Sequence, residues 1–156
     1  MLDKERALAV LRDAGLRRTP QRVAVIEVLA GNREHPDART VWEAASAKAQ
    51  GISLSTVYAV LDELRALGLV QEVPGEVLRV DPDVSPHAHF TCRICGHVFD
   101  VPTDAASGLR AAASRQGHSV EHVGISITGT CSGCRKKQGK FAKGTRKEKA
   151  DGKVSL

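Results

Sequence analysis

Four cysteines stand as two pairs, Cys92-Arg93-Ile94-Cys95 and Cys131-Ser132-Gly133-Cys134. Each pair supplies two thiolates at knuckle spacing, and four thiolates satisfy tetrahedral zinc. A lone Cys-x-x-Cys could instead be redox-active. Two pairs in one small unit, with no export signal ahead of them, favour structural zinc in a reducing compartment. The stretch between the pairs is longer than in common zinc ribbons, so a helix is expected between the knuckles. A second group, His87-Ala88-His89, ends three residues before the first knuckle, with Asp81 and Asp83 upstream and Asp100 downstream. Residues two apart on a strand face the same side, so both imidazoles could converge on one ion. Imidazole and carboxylate without thiolate suit Fe(II), Mn(II) or Zn(II), although histidines also alternate by chance on surfaces. Taken alone, His35 in Glu34-His35-Pro36-Asp37 reads as an exposed loop histidine, as do His97, His118 and His122.

The elements that must position these groups are legible from periodicity and caps. Leu2 to Ala14 repeats apolar residues at helical spacing and stops at Gly15. Thr19-Pro20 is an N-cap followed by proline at the first helical position, opening a helix from Gln21 to Ala30. A third helix is expected from Asp37 to Gln50. A fourth, capped by Ser53 or Ser55, buries Val57, Val60, Leu61, Leu64 and Leu67 until Gly68. Two helices joined by a tight turn fit a helix-turn-helix. Leu69–Val73, Pro74-Gly75 and Glu76–Val80 read as a hairpin, a wing beside the helices; an ordinary helical bundle with a hairpin has the same periodicity. Asp81 to Pro86 is a polar hinge. Beyond it, strands are expected at Ala88–Thr91, Val98–Val101 and Ser119–Thr128, with a helix at Asp104–Gln116. A unit of about 50 residues usually needs a metal, a disulfide or a partner subunit.

Composition bounds the rest. Of 156 residues 42% are hydrophobic, which excludes a disordered protein. No run of about 18 apolar residues could span a membrane, and the charged start Met1-Leu2-Asp3-Lys4-Glu5-Arg6 is no signal peptide. A cytoplasmic protein is expected. Residues 135–156 hold nine Lys/Arg against Glu148 and Asp151, so this tail carries +7, and residues 1–134 carry −2, of the net +5. The tail reads as a disordered segment that adds phosphate affinity without reading sequence.

The string His87-Ala88-His89-Phe90-Thr91-Cys92-Arg93-Ile94-Cys95-Gly96 resembles the signature of the Fur (ferric uptake regulator) family of metal-dependent repressors. Gly15-Leu16-Arg17-Arg18-Thr19-Pro20-Gln21-Arg22, His35-Pro36 and Ser55-Thr56-Val57-Tyr58 extend the resemblance over residues 2–134. It implies an α+β chain: a winged helix-turn-helix DNA-binding domain (1–80), a hinge (81–86) and a small α/β metal-binding dimerisation domain (87–134), ahead of the tail (135–156). It also implies a homodimer on palindromic double-stranded DNA. The resemblance assigns a regulatory Fe(II) or Mn(II) site to His35, Asp81, His87, His89 and Asp100, beside the structural Zn(II) on the cysteines. It places DNA contacts at Arg17, Arg18, Arg22, Ser55, Thr56 and Tyr58; Ala59 stands where relatives carry Arg or Asn. Aspartate rather than glutamate at position 100, and no cysteine in the site, resemble the peroxide-sensing branch (PerR). That branch implies oxidation of His35 and His87 to 2-oxo-histidine. The chain is thus expected to be a repressor and not an enzyme. The rivals are an iron, manganese or zinc uptake regulator, a small metallohydrolase using His-x-His, which no His-Glu-x-x-His motif supports, and a zinc-stabilised interaction module.

Overall fold

The computed structural model describes residues 1–137 other than Pro74 and Glu76. Most of the basic tail lies outside the described residues. Four helices come first: α1 Lys4–Asp13, α2 Pro20–Leu29, α3 Ala38–Ser46 and α4 Leu54–Ala66. Each is opened by a side-chain cap of the kind that contributes about 1 kcal/mol. Asp3, Thr19, Asp37 and Ser53 accept hydrogen bonds from the backbone N–H groups of Arg6, Arg22, Thr40 and Thr56. Of the two serines that could cap α4, Ser53 does so, and its hydroxyl also lies 2.8 Å from those of Ser55 and Thr56. Helix α3 ends at Ser46, four residues short of the expected Gln50, because its last turn tightens onto the Ala45 carbonyl, which receives both Lys48 N–H and Ala49 N–H. The Trp42 indole N–H then donates 2.9 Å to the Ile52 carbonyl and fixes the α3–α4 turn.

The apolar stripes of these helices meet in one core. Leu11, Val25, Ile26, Leu29, Val41, Val57 and Leu64 are all buried in it, each large side chain contributing about 1.5–3 kcal/mol. Arg22, expected at DNA, is engaged inside this domain. Its guanidinium grips Glu63 of α4 at 2.6 and 2.7 Å and donates to the Arg17 carbonyl.

The wing is a two-stranded antiparallel sheet of β1 Gln71–Val73 and β2 Arg79–Asp81. A turn confined to Pro74-Gly75 would bring Val73 opposite Glu76; the register instead pairs Val73 with Arg79 and Gln71 with Asp81. The connection is therefore longer than the sequence suggests, and Val77 and Leu78 in it are exposed. As a result Asp81 belongs to a strand of the wing rather than to a free hinge.

A three-stranded sheet follows in the order β4-β3-β5, from β3 Ala88–Cys92, β4 Val98–Val101 and β5 Ile125–Gly129, with α5 Ala105–Arg115 between β4 and β5. Strand β3 pairs antiparallel with β4 and parallel with β5. The strand expected from Ser119 begins only at Ile125. Residues 119–124 are irregular, held by the Arg110 guanidinium on the Val120 and Glu121 carbonyls, and β3 is long enough to pair only with 125–129. No helix among the described residues is long and apolar enough to cross a membrane.

Candidate metal centres

The sheet builds the cysteine cluster from both ends. Cys92 closes β3 and Cys95 follows in a turn completed by Gly96, whose φ of +70° suits glycine and whose N–H donates to the Cys92 carbonyl. Cys131 follows β5, and Cys134 lies on the first turn of the helical residues 132–137. One ligand atom from each of the four lies within 4.8 Å of every other. Cys95 Sγ and Cys131 Sγ are 3.9 Å apart, near the roughly 3.8 Å that tetrahedral zinc with 2.3 Å bonds sets between sulfurs. Backbone N–H groups of Cys131 and Cys95 hold the Cys92 thiol down at about 6, whereas the adjacent Cys131 sulfur, followed by burial, pushes Cys134 up to about 12. Four thiolates this close repel one another until a cation joins them. The donor set fits Zn(II).

The second centre lies between the winged helix and the sheet. His89 is on β3 directly opposite Asp100 on β4, and His87 stands two residues before His89. The two Nε2 atoms are 3.0 Å apart. His87 Nδ1 lies 2.8 Å from the Ser85 carbonyl, which assigns the ring proton to Nδ1 and leaves Nε2 a lone pair. His35 arrives from the other domain. Its loop runs beside β2, where Arg79 donates to the His35 carbonyl and Val80 N–H to the Pro36 carbonyl. His35 itself is held at φ +48°, a left-handed conformation that costs a non-glycine residue of order 1–3 kcal/mol.

His35, His87, His89 and Asp100 place one donor atom each within 4.8 Å of the others. His35 Nε2 is 2.7 Å from Asp100 Oδ1, and His87 Nε2 is 3.4 Å from the same oxygen. The site chemistry is decided by His35. The residue is 1% exposed, and neither ring nitrogen makes a hydrogen bond, although Nε2 lies 2.7 Å from Asp100 Oδ1. A buried imidazole without a partner costs about 1–3 kcal/mol. An ion with bonds near 2.1 Å at right angles would set its donors roughly 3 Å apart, which is the spacing found. Asp81, 2% exposed, adds Oδ2 at 3.0 Å from His87 Nε2 and 3.1 Å from His89 Nε2. Burial pushes its carboxyl up, but hydrogen bonds from His89, the Asp83 N–H and Gln71 outweigh burial and keep it below its ordinary value. Imidazoles and carboxylates without sulfur fit Fe(II) or Mn(II).

Of the five residues expected at the regulatory site, His35, His87, His89 and Asp100 bring donor atoms within 4.8 Å of one another, and Asp81 lies outside that group, against the imidazoles of His87 and His89. Those expected at DNA are spread over two places. Arg17 and Arg18 are exposed after α1; Ser55 and Tyr58 are exposed on α4 and Thr56 half-buried there, with the Ser55 and Thr56 hydroxyls tied to Ser53. His97, His118 and His122 are exposed. The residue that spacing alone misreads is His35: nothing local marks a loop histidine as buried.

Residues 13–128 match the ferric uptake regulator family. The chain is 36% identical over 135 residues to the peroxide operon regulator of Bacillus subtilis, covering 85% of this chain and 93% of that protein. It is 32% identical over 136 residues to the peroxide-responsive repressor PerR of Staphylococcus aureus, covering 85% and 92%. Its fold resembles that of a zinc uptake regulator solved with zinc and DNA, at TM-score 0.69 and 22% identity over 87% of this chain and 95% of that one. The family match spans residues 13–128 and the likeness to these regulators 85% of the chain, so this chain of a winged helix, a histidine and carboxylate cluster and a sheet with a four-cysteine cluster belongs to the ferric uptake regulator family.

Proposed function

We propose that the protein is a metal-dependent, DNA-binding transcriptional repressor that senses peroxide through its interdomain site. The observation that carries this is the burial of His35, a residue of the winged helix, among donors supplied by the sheet. The full-length likeness to peroxide-responsive regulators supports the signal. In this reading Cys92, Cys95, Cys131 and Cys134 hold structural Zn(II), and His35, His87, His89, Asp100 and Asp81 hold Fe(II) or Mn(II).

Because its ligands come from both domains, a completed site fixes how the winged helix lies on the sheet. In a homodimer that sets the distance between the two α4 helices, and successive major-groove half-sites of a palindrome require one spacing. Without the ion, the DNA-competent arrangement is one of several and affinity falls with its population. Fe(II), when bound, supplies the reduction of peroxide beside these side chains; Mn(II) fills the same donors without that chemistry. His35 and His87 are the groups that gain oxygen, and an oxidised imidazole is a poorer donor, so the tie between the domains is broken. Arg17, Arg18, Ser55, Thr56 and Tyr58 face DNA in this reading, and Arg22 acts from behind by holding α2 to α4.

Selection of duplexes from a random pool by the zinc-loaded protein with Mn(II) is expected to return a palindrome. Its affinity should fall about 5–150-fold when Mn(II) is chelated and zinc retained, the usual range of coupling between two sites. Equal affinity with and without Mn(II) would exclude a metal-dependent repressor. The tail has a separate expected effect. Deleting residues 136–156 should weaken binding to the palindrome and to random duplex by the same factor. It should also flatten the salt dependence by about 0.9 in slope for each phosphate that the tail neutralises. A weakening confined to the palindrome would contradict that role.

A further inference from the structure

We propose that Gln71 is a positioning residue for the interdomain site, acting through Asp81: its carboxamide fixes the Asp81 carboxylate against the imidazoles and so sets the affinity of the site for Fe(II) or Mn(II). The inference rests on the reading of that cluster as a metal centre. Gln71 stands directly opposite Asp81 across the wing, so the register itself brings the amide beside the carboxylate. One nitrogen, Nε2, donates 2.8 Å to Asp81 Oδ2 and 2.6 Å to the Asp83 carbonyl. Both neighbours are acceptors, which dictates that the NH₂ end of the amide faces them. The Asp83 N–H closes the ring onto Asp81 Oδ1 at 2.8 Å.

Every oxygen of this buried carboxylate therefore has a neutral donor before an ion arrives. The same Oδ2 lies within 3.1 Å of the Nε2 atoms of His87 and His89. The amide occupies one lone-pair direction of that oxygen and leaves another toward the imidazoles. Rotation of a carboxylate about its last bond is otherwise soft, and Gln71 removes that freedom. Because Gln71 lies on β1 and Asp81 on β2, the wing and the site form one hydrogen-bonded unit. Removing an outer partner of a metal ligand typically lowers affinity 10–100-fold.

The test uses full-length, zinc-loaded protein and Mn(II) alone, its affinity measured by competition with a chelating dye. Gln71→Met, of similar length but without a donor, should bind Mn(II) about 10–100-fold more weakly, with zinc content unchanged and the metal-free protein still folded. Gln71→Leu provides the same test should the thioether pack poorly. Co(II) in the site should show an altered visible spectrum in either variant, reporting a changed ligand field rather than a changed fold. Gln71→Met combined with Asp81→Asn should bind no more weakly than Asp81→Asn alone, since a residue acting through another adds nothing once that one is gone. Wild-type affinity in both Gln71 variants, or effects that add in the double variant, would overturn the role of Gln71. If His87→Ala also binds Mn(II) like the wild type, the reading of the cluster as a metal centre falls with it; if His87→Ala fails to bind Mn(II), only the role of Gln71 falls.

Discussion

Cys131→Ser is expected to release zinc and unfold the sheet domain outright, while the winged helix stays folded. The reason is the distribution of buried apolar surface. The core cluster is drawn from Leu2 to Val80 and contains no residue of the sheet. Among the described residues beyond the buried Pro82, the buried hydrophobic side chains are Ala88, Cys92, Val98 and Cys134, two of them cysteines of the cluster, and α5 buries none of its residues. So little burial cannot offset the ordering of about 50 residues. Structural zinc contributes on the order of 10–16 kcal/mol in small domains of this kind, far more than the sheet domain can replace. Zinc content, circular dichroism and size-exclusion chromatography of Cys131→Ser should show metal, the signal of β3–β5 and α5, and the dimer disappearing together, with the helical signal of α1–α4 kept. A zinc-free variant that remains a folded dimer would contradict this.

The second large effect is expected at His35. His35→Asn keeps a residue that tolerates the left-handed backbone but removes the imidazole. It should lower Mn(II) affinity by more than about a hundredfold, beyond what changes to the partners of metal ligands cost, and make binding to the selected palindrome indifferent to Mn(II). The four-cysteine zinc should be untouched, because Cys92, Cys95, Cys131 and Cys134 share no ligand with His35. Isothermal titration with Mn(II) and fluorescence anisotropy on the palindrome measure the two effects separately. Retained Mn(II)-dependent DNA binding in His35→Asn would show that His35 is not a ligand.

Much of this is legible in the chain. The caps at Thr19 and Ser53, the stripe from Val57 to Leu64 and the paired cysteines are local signals, and local signals survive folding. His87 and His89 converge because the two-residue alternation leading into β3 is also local. Asp81 stands near His87 in the chain, but His35 is reachable only through family resemblance, since it meets its partners across domains and no periodicity encodes that meeting. The wing register escapes the sequence for a related reason: Pro74-Gly75 signals a turn but not its length, and a few residues' difference decides that Gln71 faces Asp81. The later start of β5 likewise reflects the length of its partner β3 and the grip of Arg110, neither of which the run Ser119–Thr128 contains.

On the proposed reading, the interdomain site turns peroxide into release of DNA through its own histidines. Mass spectrometry of the zinc-loaded protein, filled with Fe(II) or with Mn(II) and exposed to dilute peroxide, tests it most directly. The iron-filled protein should gain about 16 Da, one oxygen atom, on peptides carrying His35 or His87, and release the palindrome in step with that gain. The manganese-filled protein should gain nothing and stay bound. If the iron-filled protein keeps both histidines intact under peroxide yet still responds to metal, the site is that of a metal-uptake regulator and the peroxide assignment is wrong.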